Sequence, residues 1–255
     1  MKLKRSLVAL AALLLTAGSE ANALNLTLDF QSLPSAQGWT FATNNSHLGN
    51  AAESLVYSTC TADGLPALCM DSTQLPYSNS DGSAFWYTRA DLELSNPFTV
   101  LMRARLLEEV FQGFPSGRNA FGLFIDAYTG SGLAQFGVGA DPSRIQSHVK
   151  NYAEILTPFD TRQWHDYRFV VQPGGAFELF VDGATTPIVS GPLLPSSLDQ
   201  ALNFGDGTSF NAVRAEITMF QVTQVPEPST SLMVSLGVVS ALCWSRRRQV
   251  GNRAA

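Results

Sequence analysis

Short runs in which apolar and polar residues alternate fill residues 24–224, and turn residues separate them. A period of two places successive side chains on opposite faces, as in a half-buried strand; few stretches hold the 3.6-residue period of a helix. Leu24-Asn25-Leu26-Thr27-Leu28-Asp29-Phe30 alternates cleanly. So does Phe177-Glu178-Leu179-Phe180-Val181, which Asp182-Gly183 ends with a strong turn dipeptide. Further β-rich runs lie at 84–88, 98–106, 120–128, 134–138, 167–171 and 215–222. Residues 101–110 have a helical reading, but Thr99-Val100 before them and Phe114-Pro115-Ser116-Gly117 after them favour a strand. About a dozen strands, with irregular loops expected at 42–82 and 140–160, predict an all-β, two-sheet antiparallel sandwich or jelly roll. Neither an internal repeat nor a linker divides 24–224, so it is read as one domain.

The two ends follow other rules. Lys2, Lys4 and Arg5 precede an apolar stretch at 7–15, and Ala21-Asn22-Ala23 offers the small-x-small pattern that signal peptidase accepts, with Ala21 and Ala23 as its small residues. Residues 1–23 are therefore expected to be a signal peptide, cleaved after Ala23. At the other end, residues 232–244 are apolar and Arg246, Arg247 and Arg248 follow. That run is short for a bilayer core, which needs about 20 residues, but the arginines supply a cytoplasmic stop. Val225-Pro226-Glu227-Pro228 stands before it, and two prolines set an extended segment that a processing enzyme can grip.

In its order and terminal position, this tail resembles the PEP-CTERM sorting signal of exported Gram-negative proteins: Pro226-Glu227-Pro228, a short membrane helix, a terminal Arg cluster. The resemblance covers about the last 30 residues. It implies a membrane-anchored precursor, an exosortase that removes residues 225–255, and release to the cell surface or extracellular matrix. A plain C-terminal membrane anchor is the alternative, and it too places the body outside the cytoplasm.

Charge divides along the same lines. The whole chain carries 16 Lys and Arg against 21 Asp and Glu. Residues 1–23 hold three basic and one acidic, and residues 225–255 hold four and one. The 201 residues between them therefore hold nine against nineteen, a net of -10. So acidic a body argues against nucleic acid, and leaves neutral sugars, cations and basic surfaces as partners.

Trp164-His165-Asp166-Tyr167-Arg168-Phe169-Val170-Val171 runs through Pro173-Gly174-Gly175 into 177–183. This resembles the Trp-His strand, Gly turn and Leu-Phe-Val-Asp-Gly strand of concanavalin A-like sandwiches, the laminin G, lectin and glucanase class. Asn203-Phe204-Gly205-Asp206-Gly207-Thr208 and the run at 214–222 fit the terminal strands of such folds. By that analogy His165 packs at a strand start with its polar edge exposed. Trp164 beside it is read as core, with a ligand platform as the alternative.

Within this class, an enzyme would be a glycoside hydrolase, which needs two carboxylates flanking the scissile bond. A strand would present them as Glu-x-Asp-x-Glu, and no such pattern occurs. Asp91 and Glu93 precede Asn96-Pro97 and read as a solvated strand end; adjacent Glu108 and Glu109 would point to opposite faces. There is no Gly-x-Ser-x-Gly, His-Glu-x-x-His or Gly-rich phosphate loop, and His47, His148 and His165 are far apart. No catalytic residue is assigned.

Binding chemistry leaves more open. Calcium is a candidate cofactor because Asn79-Ser80-Asp81-Gly82, Asp182-Gly183 and Asp206-Gly207 set oxygen ligands beside Gly turns, although Asp-Gly is ordinary turn chemistry. No metal ligand is assigned. Sugar binding uses exposed aromatic faces ringed by planar polar groups. Trp39, Trp86, Tyr87, Tyr77 and Tyr128 are available, with Asn44, Asn45, Asn79 and Asn119; Trp39, Trp86, Tyr87, Asn79 and Asp81 form the candidate ligand patch. Loss of Cys243 with the tail leaves Cys60 and Cys69 as a pair, and an oxidising compartment favours their disulfide. The expectation is a non-catalytic surface or matrix protein with a polysaccharide as its partner. A divergent glycoside hydrolase and a purely structural matrix protein are the alternatives.

Overall fold

The structure is a computed structural model that describes residues 24–44, 53–75, 84–111, 122–150, 154–207 and 211–224. All of them fall in one compact unit, Leu24–Gln224. The expected signal peptide at 1–23 and the expected sorting tail at 225–255 lie outside the described residues.

Fifteen strands are described, numbered in chain order. The first five are β1 (Asn25–Leu28), β2 (Thr40–Thr43), β3 (Tyr57–Ala62), β4 (Leu65–Asp71) and β5 (Phe85–Arg89). Then come β6 (Phe98–Phe111), β7 (Leu123–Tyr128), β8 (Leu133–Ala140), β9 (Ser143–Gln146) and β10 (Ile155–Leu156). The series ends with β11 (His165–Val171), β12 (Ala176–Val181), β13 (Val189–Pro192), β14 (Ala201–Asp206) and β15 (Asn211–Gln224). Two antiparallel sheets result. The first has the order β13-β12-β11-β6-β15-β4-β3, with β1 also paired to β15. The second has the order β10-β9-β8-β7-β14-β5-β2.

The core follows directly from alternation. Phe98, Val100, Met102, Ala104 and Leu106 of β6 are all buried between the sheets, as are Tyr167, Phe169 and Val171 of β11. From the second sheet, Leu123, Ile125 and Ala127 meet them, with Phe136, Val138 and Phe204. Trp39 packs edge-on against Phe204 and Phe220, their ring centroids 4.9 and 5.6 Å away. Apolar burial on this scale is the main stabilising term of such a domain, at roughly 25 cal/mol per Å².

The two long strands β6 and β15 pair from Phe98–Gln224 to Asn211–Phe111, with register shifts between Arg214/Ala215 and Ile217/Met219. Each shift reverses which parity faces the core. On β15, Val213, Ala215 and Ile217 point inward before Thr218, and Phe220 and Val222 after it. On β6, Leu107 is the unpaired residue, so the inward series passes from Leu106 to Glu109.

Two expected loops are partly strand. The 42–82 segment holds the β3–β4 hairpin, closed by Asp63 and Gly64 at φ 51° and 80°. Both central residues are left-handed, the two-residue hairpin turn that suits twisted strands, and Gly adopts it without a Cβ clash. The 140–160 segment holds β9 and β10. Cys60 and Cys69 join the hairpin's strands by a disulfide with a Cα–Cα distance of 5.9 Å.

Candidate functional site

Residues that alternate with the core must face outward, so the backs of the two sheets are the places to look for a site. On β7, Leu123, Ile125 and Ala127 enter the core, which leaves Phe124, Asp126 and Tyr128 on the opposite face. Strand register fixes their neighbours. Asn203 of β14 lies directly across from Asp126 on one side, and Gln135 of β8 on the other. Thr88 of β5 continues the row beyond Asn203. In the next row Trp86 stands opposite Gly205, and Phe124 stands on the far side of that glycine.

Asp126 and Gln135 are recessed, with relative exposures of 8% and 9%. Asp126 Oδ1 and Gln135 Oε1 are both buried without a hydrogen-bond partner among the described residues. A buried unpaired oxygen costs about 1–3 kcal/mol, so two side by side at directly paired positions mark a place built for something other than stability. Burial disfavours the Asp126 carboxylate and raises its pKa to about 7, the Gln135 side chain offsetting part of that rise. Thr88, Asn203 and Trp86 are half-buried around it.

The first sheet's outward face is chemically different. Arg105 pairs with Glu216 at 2.7 Å and lies 4.6 Å from the Trp164 ring centroid. Trp164 Nε1 donates to Asp63 at the tip of the β3–β4 hairpin. Arg103 pairs with Asp166 at 3.0 Å, and the Arg168 guanidinium sits 3.8 Å from the centre of the Phe180 ring. The groups of this face are matched to one another and bind the hairpin tip down.

At the start of β11, on the inward parity of Tyr167, His165 Nδ1 lies 2.6 Å from Asp182 Oδ2, and Nε2 lies 2.9 Å from the Asp160 carbonyl oxygen. Partial burial works against the Asp182 carboxylate. The Asp166 N–H, His165 and Arg103 outweigh it, and the carboxyl is held below its ordinary range. The histidine's polar edge is thus buried and bonded, not exposed as the resemblance implied. Trp164 also departs from expectation, lying half-buried on the outward face and not in the core.

The candidate ligand patch is dispersed. Tyr87 is buried in the core because its strand parity points it between the sheets, and Trp39, just before β2, is buried there against Phe204 and Phe220; Trp86 alone of the three faces outward. Asn79 and Asp81 lie outside the described residues, with Tyr77, Asn45, Asn119 and His47. Asn44 accepts a hydrogen bond from the Ala84 N–H, and Tyr128 is half-buried beyond Asp126. Of the Asp-Gly turns considered for calcium, Asp182 holds His165, and Asp206 accepts from Ser72 Oγ at 2.5 Å. Among the described residues no three His, Cys, Asp or Glu side chains gather to hold a metal ion. Asp91 pairs with Arg89, and Glu93 accepts the Ser95 N–H. Glu108 pairs with Arg214, while Glu109 turns inward to Arg144, so the two adjacent glutamates do face opposite ways.

The sequence reading missed Asp126. The available signal was a charged residue inside Leu123-Phe124-Ile125-Asp126-Ala127, a run that is apolar at both parities. A carboxyl within such a run is out of keeping with its neighbours and has a special reason to be there.

Comparison with known proteins gives two results. The model of the PEP-CTERM protein-sorting motif matches residues 224–248, so the chain carries this export-sorting signal. No curated protein matches the chain. Among solved structures, the chain is similar to a conserved carbohydrate esterase from Shiga toxin-encoding bacteriophage phi24B. The identity is 13% and the TM-score 0.52, over 79% of this chain and 98% of the esterase. It is also similar to an endo-1,3-β-glucanase from Streptomyces sioyaensis, with 14% identity and a TM-score of 0.42, over 82% of this chain and 99% of the glucanase. At 13% identity the esterase shows the fold alone: a two-sheet sandwich of the concanavalin A-like class.

Proposed function

We propose that this chain is an exported surface or matrix protein, processed by exosortase, whose sandwich binds polysaccharide without cleaving it. The observation that carries the reading is the directly paired Asp126 and Gln135, each with a buried oxygen that has no partner among the described residues. With Asn203 and Thr88 in the same row and Trp86 in the next, the face has the parts that sugar recognition uses: an aromatic ring beside a line of hydrogen-bonding groups. Polysaccharide also suits a surface or matrix location.

Binding is favoured over hydrolysis by the neighbours of Asp126. Glycoside cleavage needs a second carboxyl about 5–10 Å away, and the residues paired with Asp126 are two amides. One observation favours an enzyme: a carboxyl whose pKa is raised to about 7 suits a proton donor to a leaving oxygen.

A single experiment separates these readings. The purified exported protein is applied to a glycan array, and bound glycans are then incubated with it and assayed for new reducing ends. Binding without cleavage, weakened about tenfold or more by Trp86→Ala, is the expected outcome. New reducing ends that disappear in Asp126→Asn would replace this reading with a hydrolase, and no binding would leave the structural matrix role. Processing is checked by intact mass of the surface-released protein, which should begin at Leu24 and lack Arg246, Arg247 and Arg248. Retention of the arginines would leave a plain membrane anchor.

A further inference from the structure

We infer that Asp126 sets the charge of the ligand: the Thr88–Asn203–Asp126–Gln135 row takes an uncharged polyol stretch of a glycan, the Asp126 carboxyl donating a proton in a hydrogen bond, and excludes uronates and sulfated sugars. The inference rests on the polysaccharide reading above and names its substrate class.

Three observations converge on it. First, every other residue of the row is neutral and two-sided. The Asn203 and Gln135 amides each offer donors and an acceptor, and the Thr88 hydroxyl offers both. Sugar hydroxyls donate and accept in the same way, so such a row matches a polyol and gives no advantage to an anion.

Second, no cation stands in these rows. The flanking row carries Trp86, Gly205, Phe124, Gly137 and Gln146. On the other side lie Ala201, Tyr128 and Leu133, of which only the Tyr128 phenol titrates. The nearby arginines are engaged elsewhere: Arg89 with Asp91, and Arg144 with Glu109. Among the described residues of these rows a carboxylate or sulfate brought to Asp126 would meet no counter-charge, and in a recessed site that is costly.

Third, Asp126 itself is the only carboxyl in these three rows. Burial, opposed in part by Gln135, keeps it protonated up to a pH of about 7. In that form one oxygen donates and the other accepts, so the unpaired Oδ1 and the Gln135 Oε1 can be satisfied together by adjacent sugar hydroxyls. Once ionised, the carboxylate loses its donor and repels any acidic sugar.

The test uses the purified exported protein on an array of neutral oligosaccharides and uronic-acid oligosaccharides of equal length, at pH 5.5 and 8.5. Affinity is then measured by calorimetry for the best neutral binder. A group titrating near 7 leaves a few per cent of the competent form at pH 8.5, so affinity should fall about thirtyfold between the two conditions. Asp126→Asn, a neutral donor of the same shape, should bind equally at both pH values. Uronic oligomers should bind neither protein. Equal wild-type affinity at both pH values, or preferred binding of a uronic oligomer, overturns the inference and leaves the polysaccharide reading standing. Absence of binding to every sugar at both pH values, by both proteins, overturns that reading itself. Thermal melts of Asp126→Asn confirm that the variant compared is folded.

Discussion

Arg144 and Glu109 meet in a bidentate ion pair, at 2.6 and 2.8 Å, with neither side chain exposed to solvent. Glu109 can take part because the irregularity at Leu107 turns it inward, where it also accepts the Ala140 and Asp141 N–H groups at 2.7 and 2.8 Å. Asn211 Nδ2 donates to the same carboxylate. The pair therefore ties β6, β15 and the β8–β9 turn together at one end of the sandwich.

Breaking that pair from one side should be expensive. Glu109→Ala removes the bidentate partner of a buried guanidinium and leaves it the longer contact of 3.3 Å from Nε to Glu154, and unfolding in urea should show a loss of about 3–5 kcal/mol. Replacing both residues, as Glu109→Leu with Arg144→Met, removes the stranded charge and should lose clearly less. Equal losses would mean that packing, and not the uncompensated charge, sets the cost.

Gly205 should tolerate no side chain. It lies in β14 at φ 146°, and a Cβ there would stand 2.5 Å from Tyr57 Oη and 2.6 Å from the Phe85 carbonyl oxygen. Those two atoms are themselves joined by a 2.6 Å hydrogen bond, so neither has room to retreat. Gly205→Ala should lower stability by about 2 kcal/mol or more, read as a shifted urea midpoint with an unchanged slope.

Stability should fall as pH rises from about 4 to 7, on account of Asp126. Its carboxyl titrates near 3.8 when unfolded and near 7 in the fold. Between those values the unfolded chain has released the proton and the native one has kept it, so each pH unit costs about 1.4 kcal/mol. The total over the window is about 4 kcal/mol, and Asp126→Asn should abolish it. The difference between the two proteins isolates the effect from Asp182, which works oppositely. Its lowered pKa supports the fold above the ordinary carboxyl range, and that support is lost as acid is added.

Removing the disulfide by Cys60→Ser with Cys69→Ser should cost roughly 2–3 kcal/mol, the chain-entropy value for so short a loop. Because β3 is the outermost strand of its sheet, amide exchange should rise there first. A uniform rise across both sheets would show that the hairpin and the body unfold together.

The fold was largely legible because strand alternation is local. The patterns at 98–106, 167–171 and 215–222 become β6, β11 and β15, and the 101–110 stretch is strand, as its flanks implied. The β3–β4 hairpin was missed although Asp63-Gly64 is the same dipeptide that correctly ended β12 at Asp182-Gly183. Its flanks, Ser58-Thr59-Cys60-Thr61 and Leu65-Pro66-Ala67, alternate poorly, since an edge hairpin stapled by a disulfide needs less apolar burial.

The candidate patch was less legible, and Trp39 shows why. A tryptophan between Gly38 and Thr40 has the same sequence context whether it stacks on a sugar or on Phe204. Only the packing of β14 and β15 around it makes it core.

By itself the sequence determined that the body is a sheet protein, that Cys60 and Cys69 stand as a pair, and that the tail carries a sorting signal. Each is written in near neighbours: alternation, a short spacing, a compact motif. The tertiary structure alone decided that Asp126, Gln135, Asn203 and Thr88 share a row. They come from β7, β8, β14 and β5, and their adjacency depends on sheet order and register. Alternation says that a strand has two faces; which face is covered, and what lies beside each residue, is set by pairing between segments far apart in the chain.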